Sequence, residues 1–142
     1  MGYQLLSLTR SILISSLHDD PSLWEFVWTA NRILGLDDQS KTYPERADPL
    51  VEMYVLRSMQ ELMDEGWAYP GDDVPVDGAP PSGFGMPVVE LVRWNLGVEE
   101  SVDRIRKEWR ELNHPLFSDD VCRFGSTPAG AATGKQLATE ST

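Results

Sequence analysis

Two histidines, one cysteine and five doubled acids are the side chains of this 142-residue chain with the clearest capacity for chemistry. His18 stands beside Asp19 and Asp20, and His114 lies far along the chain. Neither belongs to an E-x-x-H, an H-x-x-x-H or a paired-cysteine spacing, the arrangements that bring zinc ligands to one point. The histidines therefore read as a partner for a helix C-terminus and as a turn residue, and no metal or other cofactor is expected. Cys122 has no histidine near it in sequence and sits in an apolar run, so it reads as core rather than as a nucleophile. G-x-S-x-G, P-loop and G-x-G-x-x-G motifs are absent from the sequence, and Gly83-Phe84-Gly85 falls in a proline-rich stretch rather than after a strand. The expectation is a protein without catalytic residues.

The doubled acids are Asp19-Asp20, Asp37-Asp38, Asp72-Asp73, Glu99-Glu100 and Asp119-Asp120. Each falls at a loop or a helix start, where Asp and Glu occur regardless of function because they cap helices and fit turns. Two pairs lie in the two longest loops, and loops are where binding residues concentrate. Twelve Lys and Arg against 23 Asp and Glu give a net charge of −11. A field of that sign opposes phosphate backbones and anionic membranes and favours a basic partner. The expected partner is thus a basic protein, with nucleic acid disfavoured and no membrane. Asp37, Asp38, Asp72, Asp73 and Asp77 would meet its cationic groups, with Tyr43, Pro75 and Phe84 as apolar anchors. The lone cysteine, the lack of a secretory leader pattern and the lack of any apolar run near ~18–20 residues point to a cytoplasmic protein.

These loops hang on a helical frame. Helical periodicity marks residues 3–17, 21–35 and 98–112, and most strongly Leu50–Glu65, apolar on most of its circumference and so a central helix. Asp20-Pro21 and Asp48-Pro49 read as N-cap and first helical position of the second and third helices. Gly66 ends the central helix, and Trp67–Tyr69 alternate as a short strand. Pro70–Pro87, with five prolines, reads mostly as a long acidic loop, and Val88–Trp94 as a returning strand or a short helix. Val121–Phe124 could add an edge strand. From Gly125 on, the chain has no aromatic residue, so a domain of residues 1–125 and a disordered tail of residues 126–142 are expected. The fold class is α+β, mainly helical: a winged-helix-like domain of about four helices with a small antiparallel β-hairpin. In that outline the central helix would meet a duplex, yet Asp48, Glu52, Glu61, Asp64 and Glu65 oppose a single Arg57 there. A winged-helix transcriptional regulator is the alternative function.

Leu23-Trp24-Glu25, Leu62, Glu65-Gly66, Gly71-Asp72, Trp94 and Ile105–Leu112 carry a resemblance to a family of small bacterial proteins, largely actinobacterial and themselves uncharacterised. The resemblance spans most of residues 12–124 and implies a winged-helix-like fold; some members look like immunity proteins for secreted toxins. The longer Pro/Gly wing and the C-terminal segment depart from the family pattern. What the resemblance and the charge together imply is a non-catalytic, acidic protein-binding module, an immunity or antitoxin-like protein that neutralises a basic partner.

Overall fold

The computed structural model describes residues 5–35, 49–78, 88–114, 116 and 120–140. Among them are helices α1 (Ser7–Ser15), α2 (Leu23–Leu34), α3 (Pro49–Asp64), α4 (Val98–Glu111) and α5 (Pro128–Glu140), with a 3-10 turn at Leu17–Asp19. Strands β1 (Ala68–Pro75), β2 (Val89–Arg93) and β3 (Arg123–Ser126) form one antiparallel sheet in the order β2-β1-β3. The class is α+β and mostly helical.

Helix α3 is the hub. Val51, Val55, Leu56, Ser58, Met59 and Leu62 are buried along it, where α1, α2 and α4 all pack. The opposite stripe is open: Leu50 and Met53 are both 48% exposed, and Arg57, Gln60 and Asp64 are exposed with them. Gly66 ends the helix in the left-handed region (φ 71), which a residue with a Cβ adopts only at a cost. The core runs from Leu8, Ile12 and Leu17 through Phe26 and Val27 to Ile105, Trp109 and Phe124. The Phe26 and Phe124 rings meet at 5.3 Å in a tilted pair, an arrangement favoured by the ring quadrupole.

Four expectations are corrected. The chain beyond Gly125 is not a disordered tail: it completes β3 and forms α5, which lies against α1. It achieves this without aromatic residues because Gly130 and Gly134 sit one helical turn apart on its buried face. A Cβ on Gly130 would strike the Trp67 carbonyl, and one on Gly134 the Leu13 carbonyl. The helix thus approaches backbone to backbone, and Leu137 adds apolar contact with the core. Second, β1 runs on to Pro75, through residues expected to be irregular. Its prolines cost the ladders at most one closing bond. Pro70 ends the β2 ladder as an acceptor from the Trp94 N–H at 3.0 Å, and the nitrogen of Pro75 points toward the β3 side, where pairing has already ended at Gly71. Third, the sheet is more than a hairpin: the edge strand that Val121–Phe124 could add is present as β3, shifted to Arg123–Ser126, and makes β1 the central strand of three. Fourth, Asp20 is no N-cap for α2. It occupies the left-handed region (φ 50) after the 3-10 turn, and Ser22 precedes the helix. Asp48 lies outside the described residues.

Candidate functional site

Of the residues expected to meet a partner, Asp37, Asp38, Tyr43 and Phe84 lie outside the described residues. Asp72, Asp73 and Pro75 lie on β1, and Asp77 in the turn beyond it. Strand geometry sends Asp72 and Asp73 to opposite faces, and each meets an arginine of its own chain. The Asp72 carboxylate is 3.5 Å from Arg104 of α4, which also holds Glu108 at 2.6 Å and lies 3.8 Å over the Trp94 ring. Asp73 accepts from Arg123 of β3 at 2.7 Å, and that guanidinium donates as well to the Asp20 carbonyl at 3.0 Å. These two acids brace the sheet against its neighbours; Asp77 and Glu90 are exposed and make no ion pair among the described residues. The helix-surface pairs of α4 are Arg104–Glu108 and Asp103–Arg106, in place of the Glu100–Arg104 and Asp103–Lys107 that spacing suggests.

The acids of α3 are also partly engaged. Glu52 receives a two-pronged contact from Arg110 of α4, at 3.1 and 3.2 Å from Nε and 2.5 Å from a terminal nitrogen. Glu61 accepts the Leu6 N–H at 3.2 Å, and desolvation holds its carboxyl above the ordinary range. On the open stripe Arg57 and Asp64 are exposed two turns apart, with Glu65 just beyond, and the pairing of Glu52 with Arg110 makes the helix less negative than its composition suggests.

What sequence reading missed is apolar. The β1–β2 register pairs Asp72 with Val92 and Val74 with Glu90, and the Val76 N–H donates to the Val88 carbonyl at 2.8 Å. One face of the ribbon therefore carries Val74, Val76, Val88 and Val92, which are 39, 37, 40 and 42% exposed. Val89, on the other face, is 46% exposed. The signal was present in the alternation of Val74 and Val76 and in the valines of Val88–Val92, and the surrounding prolines obscured it.

The remaining chemistry-bearing groups do not converge. His18 sits 3.1 Å from Asp19 and His114 3.7 Å from Asp120, in separate places. No group of three potential metal ligands occurs among the described residues. A groove of about 230 Å³ between α1 and α5 is lined by Leu13, Leu17, Gly130 and Ala131, with His18, Ser126 and Lys135 beside them. Cys122 is buried, and desolvation pushes its thiol far above the ordinary range. Among the described residues no helix is long and apolar enough to cross a membrane. Comparison with protein-family models, with curated proteins and with solved structures returned no match.

Proposed function

We propose that this chain is a non-catalytic protein-binding module of winged-helix-like architecture, in which the β1–β2 ribbon is the wing and the partner is a basic protein, as for an immunity or antitoxin-like protein. One observation carries the reading: four valines lie half-exposed on one face of the ribbon, beside Asp77 and Glu90, which make no ion pair among the described residues. Contiguous exposed apolar side chains rimmed by charge mark interaction sites, since leaving them in water has no benefit to the monomer. The net charge of −11 supplies the long-range attraction for a basic partner and raises its rate of encounter.

The test begins with a partner captured by in-cell crosslinking, then purified and re-mixed with the full chain. The association rate should fall as salt is raised, and Val74→Lys with Val92→Lys should weaken the complex by about tenfold or more. Asp77→Lys with Glu90→Lys should slow association. Asp72→Asn and Asp73→Asn should change it little, because those carboxylates serve Arg104 and Arg123. A complex indifferent to both the valine and the Asp77/Glu90 changes rules the reading out.

The second reading is a winged-helix regulator acting on DNA. It is favoured by the engagement of Glu52 and Glu61 within the fold, which leaves Arg57 and Gln60 on an open stripe of nearly balanced charge. Fluorescence anisotropy with mixed genomic duplexes at low salt decides between the two: tight binding there replaces the protein-binding reading.

A further inference from the structure

The sheet ends differently on its two sides. Beyond β3 the edge is closed: the Phe124 N–H donates to the Pro21 carbonyl at 2.8 Å, the Leu23 N–H to the Cys122 carbonyl at 3.3 Å, and Ser22 forms a bridge with Arg123. Beyond β2 no further strand lies among the described residues. The bonds that tie β2 to β1 fall at Val88 and Trp94, so by alternation Val88, Glu90, Val92 and Trp94 turn their main-chain groups inward. Val89, Leu91 and Arg93 turn theirs outward, to the open edge. Natural sheets commonly protect such an edge with lysine, proline, a bulge or a covering element. Among the described residues of β2, Val-Glu-Leu-Val-Arg, no lysine or proline does so.

We propose that the outer edge of β2 is a strand-addition site that receives an extended segment of a basic partner, a cationic side chain lying opposite Glu90 and β-branched residues opposite Val89 and Leu91. The proposal rests on the protein-binding reading and specifies how that site is used. Charge selects the occupant. Glu90 is exposed and without an ion pair among the described residues, whereas Asp72 and Asp73 on the neighbouring strand are held by Arg104 and Arg123. A Lys or Arg directly across from Glu90 lies within cross-strand reach, and an acid there is repelled. The added strand gains main-chain hydrogen bonds from Val89, Leu91 and Arg93, and its alternate side chains extend the valine face beside Val88 and Val92. A second copy of this chain is a poorer occupant, because both copies carry a charge of −11.

The test uses the isotope-labelled full chain and a short blocked peptide with a central lysine between valines and threonines. On binding, amide exchange at Val89, Leu91 and Arg93 should slow by about tenfold or more, while Glu90 and Val92, already bonded to β1, stay as they were. Val89→Pro, which removes one outward N–H at an exposed position, should abolish that protection. Glu90→Lys should transfer the preference to the peptide with a central glutamate. Absence of binding, binding with no protection of the outward amides, or protection arising only from dimerisation of the chain overturns the proposal. The re-mixed natural partner separates the two readings. A complex that survives Val89→Pro but fails with Val74→Lys and Val92→Lys overturns strand addition alone, and a complex unaffected by any ribbon change overturns the protein-binding reading as well.

Discussion

Thr9 and Ser58 are both fully buried, and their hydroxyls lie 2.9 Å apart, which joins α1 to α3 side chain to side chain, beside the Leu8 N–H that donates to the Tyr54 hydroxyl at 2.9 Å. Removing one hydroxyl strands the other without solvent, so Ser58→Ala should cost about 1–3 kcal/mol. The double change Ser58→Ala with Thr9→Val removes both polar groups at once and should restore most of that loss. Urea unfolding of the two variants measures it, and equal losses would show that the pair does not act as a unit. Ser58 is readable in sequence as part of the buried stripe of the central helix, since it recurs with Val51, Val55 and Leu62. Its partner is not readable, because a threonine inside an amphipathic pattern gives no hint of what faces it. Cys122 is the opposite case, legible as core from its apolar setting and found buried with a thiol pushed far up by desolvation. Iodoacetamide at mildly alkaline pH should therefore leave it unmodified in the native chain and alkylate it once urea is added; rapid alkylation of the native protein would mean that the β3 region opens.

Helix α5 shows where a pattern argument fails at the level of an element. Low aromatic content signals disorder only when apolar burial is the sole way to dock a segment. Here the docking is backbone against backbone, and its signature is the spacing Gly130-x-x-x-Gly134, visible in the sequence but weak outside membranes. Gly134→Ala sets two effects against each other. Helix propensity favours alanine by up to about 1 kcal/mol. A Cβ forced against the Leu13 carbonyl costs about 1–3 kcal/mol, since the backbone on both sides has to move. The second effect wins, so the urea midpoint should fall, and a rise would show that α5 is loosely seated. The ribbon was legible only in part for a related reason. Proline density normally excludes strands, but Pro70 and Pro75 occupy ladder positions that tolerate them, and position in a ladder exists only once the partner strands are known. The helical frame was easier, because the periodicity of α3 and α4 is local. The acids of β1 were visible as a pair, yet the arginines that hold them, Arg104 and Arg123, come from distant parts of the chain.

For the molecule as a whole, the acidity has a consequence for stability that does not depend on any partner. Asp20, Glu25 and Glu61 are each raised above their ordinary values, 3.8 for the aspartate and 4.5 for the glutamates, with desolvation the largest cause in every case. Arg123 opposes the rise at Asp20 and Glu25, and the Leu6 N–H opposes it at Glu61; neither overcomes it. A carboxyl raised in the folded state binds more protons there than in the unfolded chain, so stability falls as pH rises through the interval between the two values. The reverse holds on acidification from neutrality: these three groups gain protons in the folded state first, and the fold gains stability until pH approaches the ordinary carboxylate range. Relief of self-repulsion at a net charge of −11 acts in the same direction. The pairs Asp72–Arg104 and Asp73–Arg123 are partly exposed and screened, and pairs of that kind contribute at most about 1 kcal/mol each. The urea midpoint should therefore be higher at about pH 5 than at pH 7. The triple variant Asp20→Asn, Glu25→Gln, Glu61→Gln should raise the midpoint at pH 7 and flatten the difference between the two conditions. A midpoint that drops on acidification, or a triple variant with an unchanged slope, would mean that the outward-facing ion pairs govern the acid response and that the partial desolvation of these three carboxyls does not.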